Sequence, residues 1–381
     1  MMDYGFTEEQ QAIQALAREI AENEIRPVAA EYDRTGEFPW PVVKTLAQAD
    51  LFRTFIPEQY EGIANGTPTT NLVLVTEELS KACGGIALAL AGTALGTMPI
   101  LISGGDELKQ RFLPDIASGK RLAAFALTEP DAGSDAGGIR TTAIRDGDHY
   151  VLNGTKQWIT NGGEAEVYTV IALTNPAKGP RGASAIVVEK GTPGFTFGKK
   201  EDKMGIRASA TRELSFEDCR VPVANRLGRE GRGLAIFECS MEWERGCILA
   251  SCLGVMRRQL EEVIVHARSR KQFGQPIGKY QSVANRIVDM KVRLDTCRPL
   301  VYRIGRLKEQ GQSAVMEAAI AKLYVSECLV KSSLDAVQLY GGYGYMTEQQ
   351  VERDLRDAVG STLYSGTSEI QRNIIAKSLG L

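Results

Sequence analysis

Apolar residues recur along the chain in two rhythms, and the points where one gives way to the other divide it into three. Up to residue 120 the rhythm is helical. Thr7-Glu8-Glu9-Gln10 reads as a capping box, and Ile13, Leu16, Ala17, Ile20 and Ile25 follow on one stripe. The segments TTNLVLVTEELSKA (69–82) and DELKQRFLPDIASG (106–119) continue the pattern, parted by glycine-rich breaks such as EGIANGTP (61–68). Between 121 and 233 the runs shorten and turn β-rich. HYVLNGTKQWITNG predicts strand, Asn153-Gly154 turn, strand, then a second Asn-Gly at 161–162. Runs at 166–173, 182–190, 194–199 and 211–221 predict further strands, at the spacing of a small barrel or sandwich. From 234 to 381 long periodic segments (234–268, 280–309, 312–340) with short polar joins predict an antiparallel helical bundle. The expectation is an α+β chain in three parts: an N-terminal α-helical domain (1–120), a middle β-domain (121–233) and a C-terminal helical bundle (234–381). No G-x-G-x-x-G follows a strand and there is no P-loop, so a Rossmann reading finds no support.

Bulk properties narrow the class. A chain of 381 residues exceeds one ordinary core. A net charge of -2 asks for neither nucleic acid nor an anionic membrane. The opening MMDYGFTEEQQAIQ has no basic-then-apolar leader, and no window approaches the length of a membrane span, so a cytoplasmic protein is expected. Seven cysteines without a C-x-x-C pair read as buried free thiols rather than a disulfide or zinc framework. Two histidines, His149 and His266, leave a Ser-His-Asp or metal-hydrolase reading few parts.

Chemistry gathers in particular segments. In LTEPDAGSD (127–135) small residues around Gly133 let backbone N–H groups approach an anionic or heteroaromatic ligand closely, although a plain polar loop reads the same way. Taken in order, TEPDAGSD, NGTKQWITNG, KMGIRASATRELSFEDCRVP, RKQFGQPIGKYQ, QLYGGYGY and RDLRDAVGSTLYSGTSEIQR resemble the acyl-CoA dehydrogenase flavoproteins over essentially the whole chain. The resemblance implies that family's fold, with a helical N-terminal domain, a middle β-barrel and a C-terminal four-helix bundle, and FAD as cofactor. It implies contact with the flavin ring from Phe125, Leu127, Thr128, Ser134, Trp158 and Thr160. From a neighbouring subunit it implies Arg270, Phe273, Gln281, Gln338, Gly341 and Gly342 at the diphosphate and adenine end, with Thr367 and Glu369 closing the site. An arginine fork suits a diphosphate. Two contributing subunits imply a homodimer or homotetramer. Alone, Trp158 would read as core and Gly341-Gly342 as a helix break.

The family's chemistry removes a proton α to a thioester while hydride passes to flavin, which requires a carboxylate base. In short- and medium-chain members that carboxylate precedes the Gly-Thr of the last block, where this chain has Ser365. A serine hydroxyl without an adjacent base cannot take its place. In isovaleryl and long-chain types the glutamate lies on the helix opening the bundle, and the matching pair here is Glu244-Arg245. Glu244 falls in a stripe with Phe237, Met241, Cys247, Ile248, Cys252 and Val255, and burial there would raise its pKa. The other reading of Glu244 is a structural ion pair. Glu242 and Glu238 read as a solvated or ion-paired face. Arg245, Ser134 and Ser365 are the expected substrate-side residues.

SMEWERGCILASCLG, ARSRKQFGQPIGKYQSVANRIVDMK and YSGTSEIQ further resemble the prolyl-carrier-protein dehydrogenases and oxidases of secondary metabolism, the anatoxin-type oxidases among them. That implies a substrate prolyl group on the phosphopantetheine arm of an acyl or peptidyl carrier protein, with dioxygen or an electron-transfer flavoprotein as acceptor. An isovaleryl-type acyl-CoA dehydrogenase and a catalytically silent flavin-binding protein stay open beside it. Arg257, Arg258, Arg268, Arg270 and Lys271 are counted as candidates for a basic carrier-docking patch, or as ordinary solvated charges.

Overall fold

The computed structural model describes residues 5–65 and 68–381. Positions 66 and 67 of the glycine-rich break, and the first four residues of the opening segment, lie outside the described residues. The chain begins with α1 (Glu8–Ile20), α2 (Ala29–Thr35), α3 (Trp40–Gln48), α4 (Pro68–Ala82), α5 (Gly84–Ser103) and α6 (Asp106–Ala117). The Thr7 hydroxyl accepts from Gln10 N–H, and the Gln10 side chain accepts from Thr7 N–H, so the capping box forms. Ile13, Ala17, Ile20 and Ile25 are buried, but Leu16 is exposed. A π-helical turn over Ala21–Ile25, closed by Arg26 N–H to Ala21 C=O at 2.9 Å, brings Ile25 back onto the stripe after a five-residue step.

The sequence reading found no membrane-length apolar window, and the structure corrects it. α5 is 20 residues long with a window of mean hydropathy 1.9, apolar enough to span a bilayer. Its alanines and glycines give no stripe because the helix is core on nearly every side, with 78% of that window buried against the rest of the protein.

One mixed sheet follows. Its strands are β1 (Ala123–Ala126), β2 (Thr142–Asp146), β3 (His149–Thr160), β4 (Val167–Leu173), β5 (Ala183–Glu189), β6 (Phe195–Lys200), β7 (Thr211–Pro222) and β8 (Arg226–Leu227). Their order is β6-β7-β3-β2-β4-β5-β8, with β1 parallel to β4. The predicted Asn153-Gly154 turn is not a turn. β3 runs straight through it, and the hairpin closes at Asp146 opposite His149. Gly154 is instead a bulge at φ 140, where a Cβ would stand 2.6 Å from the Thr141 hydroxyl, while the Asn153 side chain donates to the Asp218 carboxylate and accepts from the Asp218 N–H. The second Asn-Gly does end β3, with Asn161 at φ 61.

The third part holds α7 (Gly233–Ser269), a small hairpin of β9 (Lys271–Gln272) and β10 (Gln275–Pro276), α8 (Gln281–Glu309), α9 (Val315–Tyr340), α10 (Gln350–Ser361) and α11 (Ser368–Ser378). α7, α8 and α9 pack on one another, and α7 also packs on α4 and α5, so the 37-residue α7 is shared by both helical parts. Six cysteines are buried and free, and Cys239 is exposed.

Candidate active site

Glu244 lies on the fourth turn of α7 with 3% of its surface exposed. The Ser365 hydroxyl donates to its Oε1 at 2.7 Å, while Oε2 has no hydrogen-bond partner among the described residues. Burial raises the Glu244 pKa, and the Ser365 hydrogen bond, Arg245 and Lys322 pull against it. The structure therefore joins the missing carboxylate position and its proposed replacement in one hydrogen bond. Ser365 and Glu244 are 121 residues apart in sequence and touch in space.

The turn carrying Ser365 is built to hold it there. Ser365 and Gly366 adopt left-handed conformations at φ 57 and φ 90. The Gln371 side chain, one turn into α11, donates to the carbonyls of Ser365 (3.2 Å) and Gly366 (2.9 Å), and Arg245 Nε donates to Ser365 C=O at 3.2 Å. A Cβ at position 366 would fall 2.6 Å from the Gln371 amide, so glycine is required by space as well as by φ. Thr367 is the N-cap of α11, its hydroxyl accepting from Ile370 N–H, and Glu369 stands exposed in the first turn. Burial lowers the Arg245 pKa, and Glu244 and Glu242 oppose that.

Glu242 takes no part in this pocket. Its Oε2 accepts from Lys308 Nζ at 3.0 Å and from Ala314 N–H at 2.8 Å, an ion pair that also caps the start of α9. Glu238 is exposed.

A second group sits on the sheet side. The buried Lys156 ammonium donates to Glu129 (2.7 Å) and to Leu127 C=O (2.8 Å), and Glu129 accepts from the N–H groups of Arg140 and Thr141. Burial brings the Lys156 pKa down to about 8 against the pull of Glu129. Gln157 N–H donates to Thr128 C=O at 2.8 Å, so the end of β1 is tied to β3 just where Trp158 stands. Trp158 sits in a bulge at φ 57 and leaves 56% of its surface exposed, which excludes the core reading. Thr160, two residues on, is half-buried, and Ser134 lies exposed on the loop after β1. Phe125 stacks on Phe237 of α7 with ring centroids 6.0 Å apart, on the helix face that carries Glu244.

The third predicted group is elsewhere. Arg270 caps the far end of α7, 26 residues beyond Glu244, which is about 39 Å at 1.5 Å per residue. There Arg270, Gly341 and Gly342 line one cavity of about 490 Å³ with His266, Tyr340 and Tyr343. The Arg270 guanidinium lies 5.8 Å over the Tyr343 ring, and Gly341 turns at φ 60 with open space around it. Phe273 projects from the β9–β10 turn, 95% exposed, and Gln281 and Gln338 are exposed on neighbouring helix ends. Of the counted docking arginines, Arg257 is engaged by Glu77 and Glu78 and Arg258 by Asp354, so these two are structural; Arg268 and Lys271 are exposed.

Sequence reasoning missed two residues of the first group, Gln371 and Lys322. Lys322 is fully buried on α9, its Nζ without a hydrogen-bond partner among the described residues. The signal was available: Lys322 continues the stripe of Ala318, Val325 and Leu329, as Glu244 does on α7.

Comparison with known proteins bears on the family and the fold. The acyl-CoA dehydrogenase N-terminal, middle and C-terminal domain models match residues 7–120, 124–219 and 231–380. An acyl-CoA dehydrogenase of Bacillus subtilis is 44% identical over 98% of each chain. Among solved structures, the prolyl acyl carrier protein oxidase AnaB is 40% identical with a TM-score of 0.94, over 99% of this chain and 100% of that one. PigA with FAD and proline is 37% identical with a TM-score of 0.94, over 100% of both chains.

Proposed function

The chain belongs to the acyl-CoA dehydrogenase family of FAD-dependent oxidoreductases, and from that premise we propose that it oxidises an L-prolyl thioester, carried on the phosphopantetheine arm of a carrier protein, to a pyrroline-carboxyl thioester. One observation carries the removal of a thioester's Cα proton: a buried Glu244 held through Oε1 by Ser365, with Oε2 left free to accept that proton. The similarity to AnaB and to PigA with proline supports the prolyl substrate and its place in secondary-metabolite biosynthesis.

The residues present fit FAD. Trp158 offers an exposed indole face beside Thr128 and Thr160, and Arg270 offers a guanidinium without an acidic partner among the described residues, next to the open backbone of Gly341 and Gly342. Bound FAD supplies the hydride acceptor that protein side chains lack. Glu244 Oε2 takes the substrate's Cα proton. Ser365 fixes the carboxylate's rotation, and Arg245 with Gln371 fixes Ser365. The roughly 39 Å between Glu244 and Arg270 exceeds the span of a dinucleotide, which supports one FAD being held by two chains in a homodimer or homotetramer. The partner that would take electrons from bound FAD is dioxygen or an electron-transfer flavoprotein.

The higher identity to the Bacillus acyl-CoA dehydrogenase favours a second reading, a dehydrogenase of acyl-CoA thioesters working from the same base. Flavin bleaching by L-prolyl carrier protein, set against a series of acyl-CoAs, separates the two. Bleaching by acyl-CoAs alone would overturn the first, and bleaching by neither would leave a silent flavin-binding protein. In either enzyme Glu244→Gln is expected to keep flavin and lose turnover by about 10²–10⁴-fold. Normal turnover in that variant would remove Glu244 from the chemistry.

A further inference from the structure

Two complementary groups, buried and without hydrogen-bond partners among the described residues, meet the same short segment, Tyr364-Ser365: Glu244 Oε2 on α7, whose other oxygen accepts from Ser365, and Lys322 Nζ on α9, 5.9 Å from the centre of the Tyr364 ring. Each would be costly alone. An isolated charge in a protein interior either finds compensation or gives up its charge. Lys322 has few other sources of compensation. Its ammonium lies 5.9 Å from the centre of the Tyr364 ring, and charged and titratable groups that act on it are Cys252, Glu244 and Arg245 of α7 and Glu369 of α11. Around Glu244 stand Ser365, Arg245, Lys322, Cys247 and Tyr364. Arg245 faces Glu244 first and Glu242 second, while its Nε is bound to the Ser365 carbonyl. Lys322 is the second cation beside Arg245. It makes no direct hydrogen bond to the carboxylate, so it acts through its field, which low polarisability strengthens.

We propose that Lys322 is a positioning residue for the reaction, a counter-charge that works with Arg245 to keep the buried Glu244 carboxylate ionised until substrate arrives. The inference rests on Glu244 being the base. Burial alone would hold Glu244 protonated to higher pH, and a protonated carboxyl cannot accept the Cα proton. Burial also lowers the Lys322 pKa, to about 8, with Cys252 and then Glu244 opposing. The coupling is thus reciprocal: each charge supports the other, and losing either shifts its partner.

The test reads protonation in the resting, flavin-loaded enzyme, apart from turnover. Difference infrared spectroscopy follows the band of the protonated Glu244 carboxyl against pH, with Glu244→Gln identifying it. Lys322→Met is expected to move the half-protonation point of Glu244 upward by about one pH unit or more, a tenfold change in the proton equilibrium. Lys322→Arg is expected to hold it near the native value. A midpoint unchanged in folded Lys322→Met would overturn the proposal, whatever that variant did to stability. Should Lys322→Met fail to fold, the reciprocal measurement decides. In Glu244→Gln the Lys322 ammonium, followed by NMR with ¹³C-labelled lysine and assigned through Lys322→Arg, is expected to titrate lower than in the native protein, and equal midpoints would overturn the coupling. Neither readout depends on which thioester is oxidised. Full activity in Glu244→Gln would instead count against Glu244 as base, leaving the charge coupling to be judged by the two titrations.

Discussion

Ser365 does two things to Glu244 at once, and they can be separated by substitution. Its hydroxyl occupies Oε1 and so leaves the other oxygen for the substrate, and by donating to the charged form it opposes the rise that burial imposes. Ser365→Ala removes both. A hydrogen bond to a charged group is worth about 1.5–3 kcal/mol, and one pH unit corresponds to about 1.4 kcal/mol. The Glu244 pKa is therefore expected to rise by about one unit or more, and the acid limb of the kcat profile to move to higher pH by that amount, with flavin retained. An unmoved limb would mean that the hydrogen bond does not persist in the working enzyme. The position of Glu244 was legible because a carboxylate broke an apolar stripe and the family resemblance pointed to the same residue. The touch between Glu244 and Ser365 was not, since no local pattern relates residues 121 positions apart. Lys322 broke a stripe in the same way and went unread, because a lone lysine among alanines is easily taken as a surface position.

At the scale of elements, neighbouring glutamates on one helix have unlike work. Glu244 faces the pocket, and Glu242, two residues earlier, joins α7 to the start of α9 by accepting from Ala314 N–H and Lys308. Glu242→Ala is expected to cost about 1–3 kcal/mol in urea unfolding by leaving that buried N–H unsatisfied. The rate of flavin reduction per folded molecule should stay within a few-fold of native, in contrast to Glu244→Gln. A collapse of the reduction rate without loss of stability would place Glu242, not Glu244, in the chemistry. Element types were legible wherever periodicity was strong, as in α7, α8 and α9, whose predicted limits fall within three residues of those observed. Two misreadings share a cause. Asn153-Gly154 carries the composition of a hairpin turn but serves a bulge, where Thr141 leaves no room for a Cβ. α5 carries no periodic signal because almost all of its surface is core. In both, neighbours distant in sequence decide what the residue is for.

Across the whole molecule, α10 knots the three parts together. Arg356 binds Asp33 of α2 at 2.6 Å and Met204 C=O at 3.1 Å, and the next residue, Asp357, accepts from Ile206 N–H on the loop before β7. The order of helical, sheet and helical parts was legible from composition, but this knot was not, because a charged Arg-Asp pair in an amphipathic helix reads as solvated surface. Burial pushes the Asp357 pKa up to about 7, against the Ile206 hydrogen bond. Between about pH 4 and pH 7 the folded protein therefore holds a proton there that the unfolded chain has released, and stability falls as pH rises through that window. Asp357→Asn keeps an oxygen for Ile206 and removes the proton. Its melting temperature, compared with native in the flavin-loaded protein, is expected to gain progressively from about pH 4 to about pH 7 and to level off above. A difference constant across that range would mean that Asp357 is already ionised in the fold, its charge met by groups such as Arg353. The sign matters for assay conditions: an activity limb set by Glu244 rises with pH while stability set by Asp357 falls, so rates are to be normalised to folded protein before a limb is assigned to the base.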